Sequence, residues 1–187
     1  MVEKPDITSK VIKSKMTEIN ETIIPVVAEK RSRVIDHCNE LTIDFKGDYS
    51  LVFRAYNDGI AYRWVINKKG EIIIKNELAT FCLSESDSVY FPEEESFLTH
   101  SERKYPLLAL KDITNEQMSC MPVLVKRADN IRIAITEADL LDYPGMYLEG
   151  NAAEQPIFTS LFPPYPLEEK QIRDRTIKVE KAADFIE

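Results

Sequence analysis

Leu51-Val-Phe-Arg-Ala-Tyr-Asn-Asp-Gly-Ile-Ala-Tyr-Arg-Trp-Val-Ile66 decides the fold class. Side chains of an extended chain point alternately to opposite faces, so a period of two marks a strand. Leu51 to Ala55 alternates, Asn57-Asp58-Gly59 supplies residues that tolerate a tight reversal, and Ile60 to Ile66 alternates again. The stretch therefore reads as a β-hairpin closed by a short loop containing Gly59. Arg54 and Arg63 lie beside Tyr56, Tyr62 and Trp64 in sequence, so guanidinium stacking on the rings is expected. The same rings suit either cross-strand pairing or stacking on the apolar C–H face of a pyranose.

Working outward, the pattern repeats at short intervals. Asn67-Lys-Lys-Gly70 is a second turn, followed by expected strands at Glu71–Lys75, Ala79–Leu83 and Val89–Phe91, with the polar loop Ser84–Ser88 between the last two. Upstream, Arg33–Ile43 and Val11–Ile24 add further strands, although Val11–Glu21 is charged enough for an edge strand or a helix. Regular short strands with few helical segments favour an all-β sandwich or barrel over alternating βαβ units.

A chain of 187 residues with 44% hydrophobic content buries a real core and is expected to form one domain. The net charge of -8 argues against a nucleic-acid partner, which needs a basic patch for the phosphates. No apolar run approaches the roughly 20 residues of a membrane span, so no membrane span is expected. The start, Met1-Val-Glu-Lys-Pro-Asp6, lacks the apolar core of a secretory signal, and a mature secreted chain would read the same. Cys38, Cys82 and Cys120 are far apart, odd in number and without CxxC spacing, so they read as free thiols, neither a zinc site nor a disulfide framework.

A second stretch carries a misfit. In Ile131-Arg-Ile-Ala-Ile-Thr-Glu-Ala-Asp-Leu-Leu-Asp-Tyr-Pro-Gly-Met146, the face of Ile131, Ile133 and Ile135 ends on Glu137. Either the strand stops and Glu137 reaches water, or a carboxylate is held at a domain edge for a cation or a sugar. Pro144 and Gly145 then occupy the central positions of an expected type II turn into a strand at Met146–Leu148. Glu137, Asp139 and Asp142 are close in sequence, but a strand followed by a turn makes their side chains diverge, so they do not read as a glycosidase acid/base pair.

Other candidates read as structural. Glu93-Glu94-Glu95 reads as a solvated loop, and neither His37 nor His100 has a sequence partner. A GxSxG elbow, a catalytic-cysteine pattern and a Gly-rich phosphate loop are all missing. Phe162-Pro-Pro-Tyr-Pro-Leu167 is a stiff polyproline-type run, followed by the charged Glu168–Asp174, and reads as an exit linker.

Two segments together, Val52–Arg63 and Ile133–Met146 about seventy residues later, resemble the N-terminal domain of glycoside hydrolase family 97. That family contains α-glucosidases and α-galactosidases. The resemblance runs from about Val26 to Pro166 and implies a galactose-mutarotase-like β-supersandwich of mainly antiparallel sheets with few short helices. It implies an N-terminal domain over residues 1–166, whose first strands would precede this chain, and a linker over residues 167–187 toward a catalytic (β/α)8 barrel. The catalytic carboxylates reside on that barrel, so the chain alone is expected to be inactive. Glu137 matches the glutamate that the N-terminal domain contributes to an active-site calcium, shared with the barrel. The resemblance further implies an oligosaccharide substrate bound by the full enzyme and a periplasmic or secreted parent. A free-standing carbohydrate-binding or protein-interaction β-sandwich is the alternative.

Overall fold

The computed structural model describes residues 10–27, 30–138, 140–151, 157–174 and 176–187. The chain divides into two units, one within Glu3–Ile72 and one within Ile73–Glu187.

The first unit is an antiparallel meander of β1 (Val11–Ile23), β2 (Val34–Phe45), β3 (Tyr49–Ala55) and β4 (Ile60–Ile66), in that spatial order. The expected hairpin is β3–β4, closed where the Tyr56 N–H donates to the Gly59 carbonyl at 2.8 Å. The charged Val11–Glu21 stretch is a strand and not a helix, because it pairs along β2 from Lys13 opposite Asp44 to Ile23 opposite Val34. The turn into β3 uses left-handed residues, Gly47 at φ 116° and Asp48 at φ 63°.

Register assigns the two faces. Leu41, Phe53 and Tyr62 lie side by side on one face, as do Ile43, Leu51 and Trp64. Glu40, Arg54 and Ala61 share the other face with Thr42, Val52 and Arg63. Arg54 pairs with Ala61 and so lies on the face away from Tyr62 and Trp64, and the expected stacking of its guanidinium on those two rings does not form. Arg54 instead forks onto two carboxylates, donating from Nε to Glu40 at 2.8 Å and from Nη1 to Asp36 at 3.0 Å. Tyr56 adds a hydroxyl donated to Asp36 at 2.9 Å. The rings of the opposite face contact one another: Phe45 stacks on Tyr49 at 5.2 Å, and Phe53 lies 6.1 Å from Tyr62.

The second unit contains β5 (Thr80–Cys82), β6 (Ser88–Tyr90), β7 (Glu93–Glu94), β8 (Leu107–Ala109), β9 (Met118–Ser119), β10 (Val123–Lys126), β11 (Arg132–Ile135), β12 (Tyr147–Asn151), β13 (Ile157–Leu161), β14 (Pro166–Arg173) and β15 (Thr176–Ala182). One sheet has the order β11-β10-β6-β8 and a second β5-β13-β12-β9-β7, all described pairings being antiparallel. The single helical element described is the 3-10 turn Leu110–Asp112. Alternation turns Val89, Val123, Val125 and Ile135 of the first sheet and Leu148 and Phe158 of the second into one core, joined by Phe91, Leu110 and Ile113. Phe91 and Phe158, both essentially sealed from water, stack at 5.9 Å. Burying such a ring contributes about 1.5–3 kcal/mol.

Three local expectations change. Glu71–Lys75 forms no strand: among the described residues only Ile74 of this stretch finds backbone partners, accepting from the Ile186 N–H at 2.9 Å and donating to the Glu187 carbonyl at 2.6 Å. Beyond the prolines, β14 and β15 pair as an exposed hairpin. Its base is held by Tyr165 stacked on Phe185 at 5.7 Å. Lastly, Glu94 of the acidic triplet does not face water: its side chain is 0% exposed and takes a 2.8 Å bond from Arg103.

Candidate functional site

β11 ends at Ile135, two residues before Glu137, and β12 begins at Tyr147. The described residues between them carry neither helix nor strand. This loop is closed by a side chain, for Oε2 of Glu137 accepts the Met146 N–H at 2.8 Å. Gly145 is not in the left-handed region, so the expected type II turn does not form, and the side-chain bond makes the reversal in its place. Glu137 is only partly buried, and it bends back onto the loop instead of extending the apolar face of the strand.

Tyr143 of the same loop donates its hydroxyl to Oε2 of Glu77 at 3.0 Å and packs edge-on against Phe162 at 5.8 Å. Glu77 is held from behind, its carbonyl accepting the Ser160 hydroxyl at 3.0 Å. The same Ser160 oxygen accepts the Ala79 N–H at 2.7 Å. Since Ser160 is buried on β13, the Glu77 segment is fastened to the second sheet of the core. The chain end also approaches Tyr143 through the Ile74–Glu187 backbone bond, and Glu187 adds to the negative field at the phenol.

Electrostatics follow from that crowding. Burial pushes the Glu137 carboxyl above its ordinary range; the Met146 N–H opposes this, and the charge of Glu77 adds to it. Burial likewise pushes the Tyr143 phenol well above its usual value, with Glu77 the next cause. Two carboxylates thus lie at one corner, and no described cation pairs with Glu137.

The donor chemistry fits a hard cation as one ligand of several. One oxygen of Glu137 is tied to backbone, and its other oxygen has no hydrogen-bond partner among the described residues. Among the described residues there is no group of three His, Cys, Asp or Glu side chains placed to hold an ion. Calcium takes six to eight oxygens, so Glu137 fits as a contributed ligand and not as a complete site. Asp142 is exposed, and Asp139 lies outside the described residues. His37 meets Glu18 at 3.2 Å on the surface of the meander, and His100 sits in an exposed loop.

Sequence reading singled out Glu137 but missed Glu77 and Tyr143. Glu77 stands between two expected strands with no pattern of its own, and its partner is 66 positions away. The pairing of β13 with β5, which brings the Ala79 segment to Ser160, and the packing of Tyr143 on Phe162 just beyond β13 bring them together.

The family described as glycosyl-hydrolase 97 N-terminal matches residues 3–184 of this chain. A retaining alpha-galactosidase of Bacteroides thetaiotaomicron is 31% identical over 155 residues, covering 78% of this chain and 23% of its own length. The chain thus spans about a quarter of the curated relative it matches. A match over nearly the whole chain, on an all-β scaffold that presents Glu137 at a loop corner, identifies this chain as a member of the glycosyl-hydrolase 97 N-terminal family.

Proposed function

We propose that this chain is the accessory N-terminal domain of a glycoside hydrolase acting on α-galactosides or α-glucosides, in which Glu137 contributes one ligand to a calcium ion shared with a (β/α)8 barrel. The observation that carries the reading is the corner itself: a half-buried carboxylate with one oxygen fixed by the Met146 N–H and no cation from the described residues. Glu137 holds its side in place, and a bound calcium would supply electrostatic stabilisation of charge at the substrate. The galactose-mutarotase-like supersandwich, residues 1–166 as its extent, residues 167–187 as the passage toward the barrel, and a periplasmic or secreted location belong to the same proposal.

Glu137→Gln in the full-length protein tests it. The variant keeps an acceptor for the Met146 N–H, so its thermal midpoint without calcium should stay within about 2 °C of the parent. Calorimetric calcium affinity should fall about tenfold or more, with activity falling at limiting calcium. An unchanged calcium isotherm would remove Glu137 from the site.

One observation favours the second reading, a carbohydrate-binding sandwich. Phe53, Tyr62 and Trp64 are 37%, 42% and 38% exposed on one face of the meander. Clear calorimetric affinity of this chain for maltose or a galactoside, lost in Trp64→Ala, would support that module; no heat of binding fits the accessory role.

A further inference from the structure

The loop that carries Glu137 has no ladder to hold it, so its direction depends on a few side-chain bonds. One is the Glu137–Met146 bond at 2.8 Å. The other lies three residues earlier, where the Tyr143 hydroxyl reaches Glu77 at 3.0 Å. Glu77 has little freedom to follow a moving loop, because its backbone is fastened to buried Ser160 at 3.0 Å and its neighbour Ala79 bonds Ser160 twice, at 2.7 and 2.8 Å. The Tyr143 ring is further fixed edge-on by Phe162, the planes 73° apart. Strain or slack at Tyr143 therefore reaches Met146, and through Met146 the Glu137 carboxylate.

We propose that Glu77 and Tyr143 are positioning residues that aim Glu137 at its cation, Glu77 acting as the fixed acceptor of the Tyr143 hydroxyl and not as a ligand. The inference rests on the reading of Glu137 as a calcium ligand. Partners behind a ligand commonly set metal affinity as strongly as some ligands do, because they hold the donor in the bound orientation before the ion arrives. Here the partner is a phenol that would be easy to remove without disturbing packing: Tyr143→Phe keeps the ring and its contact with Phe162.

Calcium titration of the full-length protein by calorimetry, together with its thermal midpoint in chelator, separates the possibilities. Tyr143→Phe and Glu77→Ala should each weaken calcium binding about tenfold while Glu77→Gln, which keeps an acceptor oxygen, stays within about twofold of the parent. If Tyr143→Phe binds calcium like the parent, the positioning role is overturned. If Glu77→Gln is as weak as Glu77→Ala, the charge of Glu77 acts on the ion directly and the proposal also fails. Glu137→Gln is the control that separates the two readings. Parental calcium affinity in that variant defeats the ligand assignment itself, whereas lost affinity there with a parental Tyr143→Phe defeats only the positioning role. The chelator midpoint of Tyr143→Phe checks that the loss is one of aim and not of folding.

Discussion

Gly150→Ala should destabilise the 73–187 unit by about 2–3 kcal/mol, read as a fall in the urea midpoint of far-UV circular dichroism with an unchanged slope. Gly150 lies on β12 opposite Phe158 of β13. A β-carbon there would stand 2.5 Å from the Thr114 carbonyl oxygen, 3.0 Å from its carbon and 2.8 Å from Cγ2 of Ile113. Two of those atoms are backbone, and the third belongs to a side chain 2% exposed in the core, so none can yield cheaply. The 114–117 turn is moreover fixed to this strand, the Gly150 N–H donating to the Gln117 carbonyl at 3.2 Å. Alanine loses less conformational entropy than glycine on folding, worth up to about 1 kcal/mol, which offsets only part of the overlap. Gly59→Ala is the matched control. It sits in the hairpin loop whose residues tolerate a tight reversal, yet its backbone is not left-handed and an added β-carbon meets nothing within 4 Å. That variant should be neutral or slightly more stable, by up to about 0.5 kcal/mol. Equal losses in the two would show that the approach of Thr114 is not what requires Gly150.

The contrast between these glycines marks where the sequence is legible. Strand identity was readable wherever alternation ran for several residues, as in β3, β4 and β11, because the period of two is a property of the chain alone. Val11–Ile23 was ambiguous for the complementary reason: its alternation is masked by charge, and only the long ladder with β2 makes it a strand. Glu71–Lys75 has an apolar pattern but forms no strand, since a ladder needs a neighbour and among the described residues only Ile74 of this stretch finds one. The β14–β15 hairpin was hidden behind prolines that do forbid a central strand but permit pairing from Pro166 onward.

At the candidate site the same division holds. Glu137 was visible as a misfit because the strand pattern on its own predicts what should follow Ile135. Its environment was not visible, since the Met146 bond replaces the turn expected from Pro144 and Gly145, and Glu77 arrives from another part of the chain. Arg54 failed in a third way. Proximity to rings in sequence suggested stacking, whereas the register puts Arg54 on the face away from Tyr62 and Trp64, and its guanidinium and the Tyr56 hydroxyl both turn to the carboxylates of β2. Burial of Glu94 had no local warning at all, because a run of three glutamates reads as solvated until β7 pairs with β9 and a loop brings Arg103 over it.

That last pair gives the strongest expected asymmetry. Arg103→Ala should cost far more stability than Glu94→Gln, although both remove the same ion pair. The Glu94 side chain is fully buried, whereas that of Arg103 is 43% exposed. Oε2 of Glu94 takes the 2.8 Å bond from Arg103 and Oε1 has no hydrogen-bond partner among the described residues, so the guanidinium is what compensates the charge there. The neighbours record that charge: burial first, then Glu94, pushes both the Cys120 thiol and the Tyr147 phenol above their ordinary values. Removing Arg103 strands a carboxylate whose side chain is sealed from solvent, the costly way to break a buried pair. Removing the carboxylate leaves a guanidinium that already reaches solvent and can complete its hydration there. The loss in Arg103→Ala should therefore be at least roughly twice that in Glu94→Gln, and the double variant Arg103→Ala/Glu94→Gln should be more stable than Arg103→Ala alone. Urea midpoints of the three variants decide the matter; equal single-variant losses, with a double variant no more stable than Arg103→Ala, would mean that Arg103 contributes packing over Glu94 and no compensation of its charge.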